Sequence, residues 1–386
     1  VTQPVLAQPA APPTRLTPAQ LAALLALVQA QAQIRQRLTQ TAVAAVLLPF
    51  KALSPSDWWD SGKVSNAIRQ ALMIIQPAQR NAVQLADAYL ARTATILTGR
   101  TVRGAGSIEV TRIRRDIPQD LVEELVAEER TPLWVELGDT WGGPADTIDD
   151  DAELAIPEED KEYLAPSVAY GRVADGFRYG ITVRGDSEEK ARAKALARLA
   201  AVAETDVTLA VREQYRQSLG QMQADGYRRI LHPELSETGP CGLCVVAADR
   251  VYKTGDLLPL HARCVCEVLP IYGDLDPGLS LNADDLRTLY AAAGGNRREV
   301  LRKVRVVLAE HGELGPILIN GDQHYRDPIA VARSRSLDKR VRDQQQLESL
   351  LEINDITRYR AEQGEQLTKS LRWQAERIAE LQRALR

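Results

Sequence analysis

Cys241-Gly242-Leu243-Cys244 and, further along, His261-Ala262-Arg263-Cys264-Val265-Cys266 hold all 4 cysteines of a 386-residue chain and one of its 4 histidines. Thiolates and an imidazole at this spacing suit a tetrahedral Zn²⁺. The Cys-x2-Cys knuckle supplies two ligands from one tight turn, and the second cluster closes the site across a loop. Gly242 fits that turn, which tolerates little bulk. Five side chains, Cys241, Cys244, His261, Cys264 and Cys266, compete for four positions. Cys241, Cys244, His261 and Cys264 are the preferred set and Cys266 the close competitor; the residue left over is spare or supports the ligands from outside. Two other readings stand beside structural zinc: reduced or disulfide-paired cysteines, and redox chemistry. The redox reading fits worst, because a thioredoxin-like Cys-x2-Cys opens a helix after a strand, and no βαβ pattern surrounds this one.

Working outward, Gly226 to Leu231 reads as a strand entering the cluster and Val265 to Ile271 as a strand leaving it. So small a β unit has too little core to hold itself, which gives a physical reason for a metal. Upstream, Asp186-Ser187-Glu188-Glu189 is a helix start with an Asp cap and negative charge in the first turn. That helix is expected to run to Gln223. One catalytic signature is also spelled here. His232-Pro233-Glu234 with Pro240-Cys241-Gly242-Leu243-Cys244 matches both halves of the zinc-deaminase motif. Only five residues separate Glu234 from Pro240, whereas a parallel-strand crossover between the two halves needs about a dozen or more.

The run from the helix through the cluster carries a resemblance. Ala203-Glu204-Thr205-Asp206 on a helix, the strand Tyr227 to Leu231, Cys-x2-Cys, then Asp256-Leu257-Leu258-Pro259-Leu260-His261-x2-Cys264-x-Cys266 resembles the MuF-like domain of tailed-bacteriophage minor head proteins. It departs from the common form at Ala262, where proline is usual, and at Val265, often arginine. The likeness covers residues 187–272. It implies a minor capsid protein inside the virion, at the portal vertex of the head, made in the bacterial host cytoplasm and acting in head assembly and in DNA packaging or ejection. The implied partners are the portal protein ring, and beyond it the major capsid protein and packaged DNA. No catalysis is implied, although some relatives carry a fused protease or toxin.

The rest of the chain reads as mainly helical. Aromatics make up 5% of it, while helix-favouring residues are abundant. No stretch approaches the roughly 20 apolar residues a membrane span needs, and no signal peptide is expected at the start. Residues 1–13 read as a flexible arm. Thr17-Pro18-Ala19-Gln20 is a helix start, Pro49 is expected to stop that helix, Ser54-Pro55-Ser56-Asp57 repeats the signal, and residues 64–98 form the second arm of a long hairpin. Residues 14–116 are thus a helical hairpin and the expected portal-docking region.

Residues 1–115 carry 13 Lys+Arg against 4 Asp+Glu, and residues 120–162 carry 2 against 16. This polarity makes 117–186 an acidic linker or excursion. Residues 187–275 form the α+β domain with its zinc site, and 276–335 a helical segment with a short strand at Pro316 to Asn320. Residues 336–386 read as one long helix. In it Leu367, Leu371, Gln374, Ile378, Leu381 and Leu385 make a short heptad seam, a means of self-association.

The expected fold class is mainly α with a small zinc-stabilised α+β module, a long N-terminal helical hairpin and a long C-terminal helix. The expected function is structural. A zinc-containing nucleic-acid-binding protein is the first alternative and an enzyme, zinc deaminase or fused toxin or protease, the second. The chain has no Gly-x-Ser-x-Gly, His-Glu-x2-His or Walker sequence.

Overall fold

The computed structural model describes residues 16–108, 166–232, 235, 247–248, 251–254, 266–282, 306–311, 315–320 and 339–386. Of Pro166, 306–311, 315–320, Lys339 and Arg342 it describes the backbone only.

Helix α1 (Pro18–Lys51) starts where its residues dictate. The Thr17 side chain accepts from the Gln20 amide while the Gln20 side chain accepts from the Thr17 amide, a reciprocal cap with proline in the first turn. Pro49 does not stop it as expected. It lies in the last turn, where a missing N–H removes only one helical bond, and the buried Phe50 beyond it anchors that turn to the core. The second start signal is also displaced. The Asp57 carboxylate accepts from the Ser54 amide at 2.8 Å and hydroxyl at 2.6 Å, folding a single 3-10 turn over Asp57–Trp59. Asp60 is the real cap of α2 (Ser61–Thr98), accepting from the Gly62 and Lys63 amides at 2.9 and 3.1 Å. Helix α2 passes through Pro77 and ends on Gly99, whose φ of 68° is left-handed.

Residues 166–182, inside the stretch expected to be acidic linker, form helix α3 (Pro166–Thr182). Tyr170, Val173, Ala174 and Phe177 are buried on one face at helical spacing, so this part is core. Helix α4 (Glu188–Gln221) follows, capped by Ser187 rather than Asp186. Asp186 instead holds Lys190 at 2.9 Å and Lys194 at 2.7 Å. Hydrogen bonds from Lys194 and then Lys190 keep its carboxyl down at about 2.

One hydrophobic core runs through all four helices into the sheet, from Leu24, Phe50 and Trp58 through Ile75, Phe177 and Leu199 to Val268 and Leu269. The N-terminal hairpin and the 187–275 module therefore share a core. The sheet has order β2-β1-β3, with β1 Gly226–Ile230, β2 Val251–Tyr252 and β3 Glu267–Ile271, all antiparallel. β1 lies centrally, pairing Tyr227 with Tyr252 on one side and Ile230 with Glu267 on the other. Pro270 sits in edge strand β3, where its missing N–H is tolerated. A short helix α5 (Pro277–Leu281) closes the unit.

Two regions differ from expectation beyond the sheet. Within 276–335 there are two strands rather than one, β4 (Val306–His311) and β5 (Gly315–Asn320), paired antiparallel. The expected single C-terminal helix is a hairpin of α6 (Lys339–Glu362) and α7 (Thr368–Ala384). The break falls at Gly364, whose φ of 96° turns the chain where a side chain would be strained. The heptad seam faces α6 of the same chain. Leu367, Gln374 and Leu381 are buried, and the Gln374 carboxamide accepts from Asn354 at 2.8 Å and donates to Thr357 at 3.0 Å.

Candidate functional site

The topology of the sheet says where the cysteine window attaches. The connection between β1 and β2 carries Cys241 and Cys244, and that between β2 and β3 carries His261 and Cys264. The chain leaves β1 at Ile230, and β3 begins opposite it at Glu267. Cys266 is buried at this point of return, one residue before β3. It is the only candidate ligand the structure places. Cys241, Cys244, His261 and Cys264 lie outside the described residues, as does Glu234 of the deaminase-like pair, whereas His232 is buried. Among the described residues no group of three or more His, Cys, Asp or Glu side chains converges on a metal position.

Directly beside Cys266 lies a buried polar assembly that the sequence reading did not find. Arg35 of α1 meets Glu267 with its Nε 2.7 Å from Oε1. The Tyr215 hydroxyl of α4 donates to the other carboxylate oxygen and accepts from Gln31 Nε2 of α1 at 3.1 Å. Tyr89 of α2 packs its ring 6.0 Å from that of Tyr215 and donates to the Val268 carbonyl at 2.8 Å. Burial, and secondly the charge of Glu267, push the Tyr215 hydroxyl well above the usual tyrosine range. For Tyr89 burial again comes first, then the neighbouring Tyr215 and Glu267. Both tyrosines therefore act as fixed donors. With each carboxylate oxygen already engaged, Glu267 ties strand β3 to α1 and α4, and Tyr89 adds a bond from α2 to the next residue of the strand.

A second buried assembly grips the β1–β2 connection. Arg228 places Nε 2.9 and 2.8 Å from the two Asp276 carboxylate oxygens, while its Nη1 donates to the Ala248 carbonyl at 3.1 Å. Asn282, fully buried, accepts from the Leu231 amide at 3.1 Å and donates to the carbonyls of Arg229 at 2.8 Å and Ala248 at 3.2 Å. Charge-assisted, forked bonds of this kind fix geometry strongly. Ala248 belongs to the chain returning from Cys241 and Cys244, so its position is set from β1 and α5. Arg229, also fully buried, lies over the Tyr252 ring at 5.2 Å. One signal for this was readable: Asp276-Pro277 is a helix start, and it leaves a carboxylate beside the strand.

A third assembly fixes the strap after α2. Asp87 accepts from the Ala105 amide at 2.8 Å, the Gly106 amide at 3.2 Å and the Ser218 hydroxyl at 2.9 Å. Gly104 is required there, since a Cβ on it would lie 2.1 Å from the Asp87 carboxylate.

No family model, no curated protein and no solved structure matches the chain. Among the described residues no helix is long and apolar enough to cross a membrane.

Proposed function

We propose that this chain is a phage minor capsid protein of the MuF-like kind, acting structurally at the portal vertex inside the head. The observation that carries this reading is the order of ligands, Cys241-x2-Cys244 before His261-x2-Cys264-x-Cys266. Its two halves hang on the two connections of a three-stranded sheet. What supports a bracing role is the surrounding framework. Arg228, Asn282 and Glu267 hold both connections where they join the sheet, and Glu267 ties that sheet to α1 and α4.

In this reading a structural Zn²⁺ is held by four of Cys241, Cys244, His261, Cys264 and Cys266, and staples two connections too short of apolar surface to hold themselves. The donor set suits it, since thiolates with one imidazole are what tetrahedral structural zinc takes. The chain is not an enzyme, and its partners are the portal ring and, through it, capsid and packaged DNA.

Metal analysis of reduced, folded protein is expected to give about one zinc per chain, with loss of zinc in Cys241→Ser. Folded, reduced protein free of metal would sink the zinc part. The location is tested by co-expression with the portal protein of the same genome. Co-elution with the portal ring is expected, weakened by Ile34→Ser or Met73→Ser on the exposed faces of α1 and α2. Deleting the hairpin is no test, because α1 and α2 share the core with α4. Failure to associate with the ring, together with absence from purified heads, would overturn the assignment.

A further inference from the structure

We infer that the outer face of α6 is a docking surface for a basic amphipathic helix of another protein. Val341, Leu351, Ile356 and Tyr359 on α6 are 42%, 42%, 41% and 64% exposed. This one helix holds four of the eleven large apolar side chains exposed among the described residues. At 3.6 residues per turn they fall within one side of the helix. The opposite side is used: Leu350, Asn354 and Thr357 are buried against α7.

Charge selects the occupant. Between the apolar residues, on the same side, stand Glu352 and Asp355, both exposed and without an ion-pair partner among the described residues. On α7 the exposed carboxylates are neutralised within the helix, Glu376 by Arg372 at 3.1 Å and Glu380 by Arg377 at 2.9 Å. An apolar stripe interleaved with unneutralised carboxylates is complementary to a helix with apolar residues on one face and Lys or Arg beside them. A second copy of this chain is disfavoured, because isologous pairing of α6 with itself sets like charges against each other. Nucleic acid is disfavoured by the same sign of charge.

The test uses the full chain and a fluorescein-labelled Leu/Lys amphipathic peptide of about 18 residues, long enough for five helical turns, with a Leu/Glu peptide of the same pattern as control. Anisotropy is expected to show saturable binding of the Leu/Lys peptide only. Affinity should fall about tenfold or more in Tyr359→Ser and in Glu352→Lys/Asp355→Lys, with hydrogen exchange protection mapping to 341–359. Because all these positions are exposed, the variants should keep the melting temperature. Three outcomes overturn the inference. Unchanged peptide affinity in the variants puts the contact elsewhere. Conversion of a dimer to a monomer makes the occupant a second copy. A clear drop in the chain's own melting temperature makes it a segment of the same chain.

Discussion

Replacing Arg35 by Ala is expected to destabilise the protein by about 3–5 kcal/mol, because it leaves the Glu267 carboxylate fully buried without its counter-charge. The pair is 2.7 Å apart with side-chain exposures of 8% and 0%, so solvent can do little for the orphan. Glu267→Ala should cost a similar amount for the converse reason. The double variant Arg35→Met/Glu267→Leu separates pairing from burial. Replacing a buried pair with apolar groups of similar volume is often neutral or stabilising by about 1–4 kcal/mol. Against that gain stands the Tyr215 hydroxyl, which loses its acceptor at a cost of about 1–3 kcal/mol. The double variant is thus expected to lie within about 2 kcal/mol of the parent and well above either single variant. Urea unfolding of the four proteins checks this. Additive losses in the double would mean that Arg35 and Glu267 each matter for separate contacts.

The pattern of what could be read beforehand follows from the range of the interactions. The start of α1 and the C-terminal seam are set by neighbours three or four residues apart, and Thr17, Gln20, Leu367, Gln374 and Leu381 are legible in those roles. What the seam packs against was not. Periodicity shows which face is apolar but not its partner, and Gly364 returns α7 to α6 instead of leaving it for another chain. Helix α3 was hidden for a different reason. Gly171, Gly176 and Gly180 lower its intrinsic helical preference, and the acidic run before it suggested linker. In the fold Gly180 permits close approach, since a Cβ there would lie 3.3 Å from that of Ala191 on α4. Of the candidate site, the cysteine pattern is legible because its residues lie close together in the sequence. The framework of Arg35, Tyr215, Glu267, Arg228 and Asn282 was not, since a buried charged residue in a helix or strand looks like a solvated one until its distant partner is known.

The same long-range logic makes Trp58 a sensitive apolar position outside the sheet. It lies on a single 3-10 turn that neither α1 nor α2 contains, yet it is fully buried. Its ring stacks on Phe177 of α3 at 4.9 Å and tilts against Phe50 of α1 at 5.8 Å. Its carbonyl accepts from Arg178 Nε at 3.0 Å, and Arg178 in turn lies 4.7 Å over the Trp373 ring of α7. Trp58→Ala is expected to cost about 3–5 kcal/mol through lost transfer energy and the cavity left between three elements. Since the indole Nε1 has no hydrogen-bond partner among the described residues, Trp58→Phe should cost much less, on the order of 1–2 kcal/mol for the lost volume alone. Trp59→Ala, at a position only partly buried, should fall below Trp58→Ala. Thermal and urea unfolding of the three variants give the ranking. Hydrogen exchange adds a readout of position: in Trp58→Ala, protection should fall in α3 and at the Trp373 end of α7 more than in β1 and β3. Equal losses for Trp58→Ala and Trp58→Phe would mean that the indole nitrogen, and not the ring's packing, holds this junction together.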